Sequence, residues 1–201
     1  MQGPRLILAS ASPRRQSLLR DAGFVFDIHP ADLDEASFAA DGMAPSELAK
    51  RLALAKAEAV ASKFPDAVVL GADTIVAFGE QILGKPRDAQ HAYEMLSLLS
   101  GTTHLVITGV AVVHPSARFS ATIRNLSAVR MKPLTLHDIE NYIATGQWRD
   151  KAGGYGIQDT DPFIIRMAGS HTNIVGLPMT ATRNLLATAG ITTDKASSSH
   201  S

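Results

Sequence analysis

The sequence predicts an α/β fold built on a mixed sheet flanked by helices, and three observations predict it. Short apolar runs alternate with segments of helical period along most of the chain. In the middle, Leu105 to His114 and Arg118 to Met131 are separated only by a turn at Pro115-Ser116, which reads as a long antiparallel hairpin. That hairpin argues against a purely parallel dinucleotide-binding sheet, and the glycine patterns of a phosphate loop or of a dinucleotide-binding fold are also absent.

In chain order, Arg5 to Ala9 reads as a short buried strand. Ser10-Ala11-Ser12-Pro13 then starts a helix, because Ser12 can cap it and Pro13 suits its first position. That helix turns Leu18 and Leu19 inward and stops near Gly23. Phe24 to His29 is a candidate strand, and the stretch from Pro30 to Ala44, with weak periodicity and several acids, is a loop with a short helix. Pro45 to Lys63 is an amphipathic helix with Leu48, Leu52, Ala55 and Ala59 on one stripe.

Ala67 to Gly71 is an apolar strand that leads into Ala72-Asp73-Thr74, with Ile75 to Phe78 extended beyond it and Gly79-Glu80-Gln81 as a turn. Asp88 to Ser100 is a helix ended by Gly101. After the hairpin, Thr135 to Asp138 has the spacing of a capping box, for a helix running to Ala144 before Gly146. Gly153 to Gly156 reads as a flexible loop, Phe163 to Met167 and Thr172 to Val175 as short strands, and Pro178 to Ala189 as a final helix.

The 201 residues fit one domain, assigned to 1–191, with a polar, low-complexity tail over 192–201 expected to fray. Lys+Arg and Asp+Glu both number 19 and no basic run occurs, so bulk nucleic-acid binding is disfavoured while a small anion pocket is not. The absence of cysteine excludes disulfides, thiolate zinc sites and cysteine nucleophiles. The apolar run Leu6 to Ala9 is too short for a signal-peptide core, and no run approaches the ~20 residues of a membrane span. The expectation is a cytoplasmic protein that binds neither membrane nor nucleic acid.

Six clusters carry possible chemistry. Ser10, Ser12, Arg14 and Arg15 gather at a strand-to-helix junction, where free N–H groups and guanidinium groups suit phosphate; a capped helix with solvated arginines is the alternative. Asp73 and Thr74 follow an apolar strand, though an acid there is often a turn residue. Lys85 in Gly84-Lys85-Pro86 and Lys56 beside Leu52 offer ammonium groups that ordinarily only reach for water. Asp34-Glu35 lies in an acidic loop, and Gln158 follows Gly153 to Ile157, whose glycines permit close approach to a flat ligand. Singly these are weak. Together they supply what a metal–triphosphate site needs, with Glu35 and Asp73 as carboxylate ligands for Mg²⁺ or Mn²⁺.

The order Ser10 to Arg15, Asp34-Glu35, Lys56, Gly71 to Thr74, Gly84 to Pro86, Leu99 to Gly101, Gly154 to Gln158 and Val175 to Pro178 resembles the Maf family over nearly the whole chain. The resemblance implies a Maf/ITPase-like α/β fold with a central cleft, often homodimeric, that hydrolyses nucleoside triphosphates to monophosphate and pyrophosphate with a divalent cation. It implies Asp73 as the proton acceptor, and Arg14, Thr74 and Gln158 as residues tied to substrate choice. Ala72-Asp73-Thr74 and Gly156-Ile157-Gln158 resemble the branch acting on dTTP and UTP. Asp159-Thr160-Asp161-Pro162 departs from the glycine-rich stretch common there. The alternatives are the 7-methyl-GTP branch and, in a different class, a nucleotide-binding regulator of septum formation; a kinase or nucleotidyltransferase is disfavoured by the missing glycine-rich loops.

Overall fold

The computed structural model describes residues 3–38, 42–157 and 163–193. Gln158, the segment Asp159 to Pro162, and the tail from 194 onward, all singled out above, lie outside the described residues.

The strands are β1 (Leu6–Leu8), β2 (Asp27–Ile28), β3 (Val68–Phe78), β4 (Gln81–Leu83), β5 (Thr103–His114), β6 (Phe119–Met131) and β7 (Ile164–Ala168). The helices are α1 (Pro13–Asp21), α2 (Pro45–Ala61), α3 (Ala89–Leu99), α4 (Leu136–Thr145), α5 (His171–Val175) and α6 (Met179–Thr188). Among the described residues one seven-stranded sheet runs in the order β2-β1-β3-β5-β6-β7, with β4 paired to β3. β1 pairs with β2 and β3 in parallel and the remaining pairs are antiparallel, so the sheet is mixed as expected.

The topology makes a gap. β5 occupies one edge of β3 from Val69 to Ala77. On the other edge β1 covers only Val68 to Leu70 and β4 only Val76 to Phe78. Residues 71–75 therefore face no strand on that side, and Asp73 and Thr74 sit there. This corrects the expectation that Asp73 follows the end of a strand: β3 is continuous, and it is β1 that ends.

Successive strand residues point to opposite faces. Gly71, Asp73 and Ile75 face α2; Ala72, Thr74 and Val76 face the other helices. On the α2 face the approach is at backbone distance, since a Cβ on Gly71 would lie 2.2 Å from Ala53 O and one on Gly109 2.2 Å from Ala49 O. The buried stripe of α2 accordingly runs through Ala49, Ala53 and Ala57, each fully buried, while the predicted stripe members Ala55 and Ala59 lie at its margin. On the opposite face, Leu19 of α1 and Leu185 and Leu186 of α6 pack on Ala72, Val110 and Val112. Further along, Leu96 and Leu99 of α3 and Ile139 and Tyr142 of α4 pack with Val76, Val106, Val129 and Met131.

Other local expectations need correcting. Thr172 to Val175 is helical, with Ser170 Oγ accepting from Asn173 N–H as its cap. Gln81 belongs to β4 and not to the turn before it. The strand expected over Phe24 to His29 is only two residues long. Gly153 and Gly154 form part of a 3-10 turn, with φ of 71° and 75°. The capping box at Thr135 and Asp138 is present as expected.

Candidate active site

A cleft of about 740 Å³ opens through the gap in the β3 edge. Ser10, Ser12, Arg14 and Arg15 line it from the β1–α1 junction, and Glu35 and Lys56 from the α2 side. Asp73 and Thr74 line it from β3, and Lys85 from the loop after β4. The structure thus brings together every predicted site residue that lies among the described ones.

The charged centre is on the α2 face. Lys56 Nζ donates to Asp73 Oδ1 at 2.6 Å and pairs with Glu35 Oε1 at 2.7 Å. The side chains of Lys56 and Asp73 are only 12% and 10% exposed, against 48% for Glu35. That difference sets the proton affinities apart. Burial holds the Asp73 carboxyl above the ordinary aspartate range, against the pull of Lys56 and Arg15. Burial acts upward on Glu35 too, but the Lys56 hydrogen bond and the charges of Lys56, Lys85 and Arg15 outweigh it, leaving Glu35 below the ordinary range. The two carboxyls that meet Lys56 therefore differ in proton affinity, Asp73 holding a proton more tightly than Glu35.

Arg15 braces the second half. Its Nε donates to Gly176 O at 2.8 Å, Nη1 to Ser10 Oγ at 3.1 Å and Nη2 to Thr74 Oγ1 at 3.1 Å. One guanidinium thereby ties the start of α1 to β3 and to the turn between α5 and α6. Desolvation lowers its pKa, offset by Asp73, and an arginine remains charged regardless. Thr74 also bonds Thr108 Oγ1 at 3.0 Å, and Thr108 donates to Asn173 O at 3.0 Å. The Thr74 hydroxyl is therefore engaged by protein partners on the face opposite Asp73.

Ser12 occupies the N-cap of α1, but its side chain makes no cap bond; its N–H donates to Ser10 Oγ at 3.3 Å instead. Ser10 Oγ accepts twice and keeps its own proton to donate. Arg14 Nη2 donates to Asp150 O at 3.2 Å. Sequence reasoning missed Thr108 and Asn173, which fix Thr74, although the alternation along β5 puts Thr108 on the Thr74 face. It also missed the reason for Val175 to Pro178, where Gly176 supplies the carbonyl that holds Arg15.

The donor set suits a hard divalent cation in part. Glu35 and Asp73 both place a carboxylate oxygen on Lys56 Nζ, so the two acids flank one cationic position, and Mg²⁺ takes one or two carboxylates with water and phosphate for the rest. No cluster of three or more His, Cys, Asp or Glu side chains forms among the described residues. Such an ion would complete its shell from water and substrate.

The sequence pattern of the family described as Maf-like protein matches residues 5–189. The chain belongs to the Maf family. Relatives include a dTTP/UTP pyrophosphatase of Rhodospirillum rubrum, 48% identical over 190 residues, covering 94% of this chain and 89% of the relative. Another, a dTTP/UTP pyrophosphatase of Symbiobacterium thermophilum, is 46% identical over 187 residues, covering 92% and 94%. Among solved structures, the Staphylococcus aureus Ham1 protein overlays 63% of this chain and 71% of its own with a TM-score of 0.42 and 14% identity. The Maf match spans both halves of the cleft described above, from Ser10 to the turn at Gly176.

Proposed function

We propose that this chain is a nucleoside triphosphate pyrophosphatase that hydrolyses dTTP and UTP to the nucleoside monophosphate and pyrophosphate. The observation that carries the reading is the pairing of a buried, proton-avid Asp73 with Lys56 and Glu35 at the mouth of a cation-lined cleft. The two relatives described above are dTTP/UTP pyrophosphatases.

Arg14, Arg15 and Lys85 receive the phosphates, with Ser10 and Ser12 donating hydroxyl protons. Asp73 takes a proton from a water aimed at the α-phosphorus. The new P–O bond forms as the bond from the α-phosphorus to the bridging oxygen breaks, and the electron pair leaves on pyrophosphate. Lys56 and the guanidinium groups balance the charge that builds on this leaving group, which is most of what phosphoryl transfer asks of a protein. Glu35 and Asp73 would hold the divalent cation, Mg²⁺ or Mn²⁺, which supplies positive charge to the phosphate oxygens when bound. Arg14, Thr74 and Gln158 bear on base choice, Thr74 through Arg15.

The homodimer belongs to the same proposal. Leu105 and Leu126 are 38% and 44% exposed on one sheet face and offer it an apolar surface. No helix among the described residues is long and apolar enough to cross a membrane. A cytoplasmic enzyme acting on the nucleotide pool is the setting proposed.

The test is a panel of canonical and 7-methylated nucleoside triphosphates assayed with Mg²⁺ and with Mn²⁺. The expected result is preference for dTTP and UTP, with monophosphate and pyrophosphate as primary products and no turnover in EDTA. Diphosphate and orthophosphate as primary products, or preference for 7-methyl-GTP, would contradict it.

A further inference from the structure

The cleft is lined by apolar as well as charged side chains. Opposite the charged centre, Val76, Val106, Tyr155 and Ile174 line the cleft. The same four belong to, or pack against, a single core cluster that includes α3 and α4. This wall is the rim of a packed core, and its apolar surface suits a planar base as the cations suit phosphates.

Tyr155 ends the 3-10 turn Ala152–Gly154 and begins the segment, Tyr155 to Ile157, that closes the wall. The turn is tied down from below: Gly153 N–H donates to Gly84 O at 3.0 Å, and a Cβ on Gly153 would lie 3.1 Å from both methyls of Val76. Beyond the turn, the tie is a side chain. Tyr155 Oη and His104 Nε2 are hydrogen-bonded at 2.5 Å, and the rings meet edge-on with centroids 5.4 Å apart.

His104 does not line the cleft. It lies on β5 two residues before Val106, hence on the same sheet face, and is 2% exposed. Burial keeps its imidazole neutral, with a pKa lowered to about 4. Its other nitrogen, Nδ1, has no partner among the described residues. A buried, half-satisfied imidazole is costly. The one thing it does that a phenyl ring would not is hold the Tyr155 hydroxyl.

We propose that His104 is a positioning residue for base selection: by fixing Tyr155 Oη it sets where Tyr155 to Ile157 stands against Val106 and Ile174, and so the width of the slot that admits a pyrimidine and excludes a purine. The inference rests on the dTTP/UTP reading above and adds a residue outside the cleft to it.

The experiment compares His104→Phe, Tyr155→Phe and the double variant in the full chain, measuring kcat/KM for dTTP and ATP and inhibition by inorganic tripolyphosphate. Each single variant should lower the dTTP-to-ATP ratio by about tenfold, the loss expected for one buried hydrogen bond, carried by KM more than by kcat. The double variant should be no worse than either single one, because both remove the same bond. Tripolyphosphate, which reaches only the charged half, should inhibit all forms alike. An unchanged ratio, equal losses on dTTP and ATP, or weakened tripolyphosphate inhibition overturns the proposal. If His104→Phe does not fold, Tyr155→Phe retains the ring and its packing and decides alone. A wild-type chain without pyrimidine preference overturns the underlying reading as well, and shows this before any variant is made.

Discussion

Gly71 lies directly beneath the carbonyl of Ala53, so close that a Cβ on Gly71 would sit 2.2 Å from that oxygen. The contact presses α2 onto β3 one turn before Lys56, and it sets the height at which the Lys56 ammonium meets Asp73 two residues further along the strand. Gly71→Ala should lift α2. Overpacking of this kind typically costs about 1–3 kcal/mol. We expect a lower urea midpoint together with reduced turnover, because the Lys56–Asp73 pair is displaced; full activity in a destabilised variant would uncouple the two.

Lys56→Met removes the largest charge opposing the burial of Asp73, whose pKa is already raised. The acid limb of kcat/KM should move to higher pH than in the wild type. Stability follows the same sign: with a folded pKa above the unfolded ~3.9, the native state binds the extra proton, so stability falls as pH rises from that value through the folded one. Urea titrations across pH check it, and a Lys56→Met protein with an unmoved acid limb would show that Lys56 does not tune Asp73.

Arg15→Lys retains the charge but not the fork. A single ammonium cannot reproduce three donors aimed at Gly176 O, Ser10 Oγ and Thr74 Oγ1. Losing buried partners of this sort costs about 1–3 kcal/mol per group left unsatisfied. A fall in melting temperature together with weaker triphosphate binding is the expected outcome, read by calorimetry and KM; a silent substitution would leave Arg15 as charge alone.

His104 gives a pH signature separate from catalysis. Its folded pKa of about 4 lies below the ordinary histidine value. Between these the unfolded chain binds the proton and the native one does not, so stability falls as pH drops from about 6.5 to 4, by roughly 3 kcal/mol in full. His104→Phe should flatten this part of the stability curve measured by urea unfolding. An equally steep curve in the variant would assign the slope to other groups.

Much of this was legible in the residues. Alternation and length gave the β5–β6 hairpin, and Thr135 with Asp138 gave the start of α4. The candidate site residues stood out as clusters of cations, carboxylates and hydroxyls in an otherwise neutral chain, and those among the described residues line one cleft. What the sequence hid were tertiary effects. Thr172, Ile174 and Val175 are β-branched and read as strand, yet the Ser170 cap, the buried Asn173 and Gly176 hold them in a helix. The α2 stripe was displaced toward Ala49, Ala53 and Ala57 because Gly71 and Gly109 accept a backbone at close range, a complementarity between segments far apart in the chain. The position of Asp73 depends on where β1 stops, which is a property of the sheet and not of β3.

In the proposed reaction Asp73 deprotonates a water that attacks the α-phosphorus of dTTP. Hydrolysis in ¹⁸O-labelled water tests it most directly, with products analysed by mass spectrometry for the wild type and for Asp73→Asn. The label should appear in thymidine monophosphate and not in pyrophosphate. Asp73→Asn, with its fold intact, should turn over at least about a hundredfold more slowly, within the usual range for loss of a general base. Label in pyrophosphate or orthophosphate, or near wild-type turnover in Asp73→Asn, would contradict it.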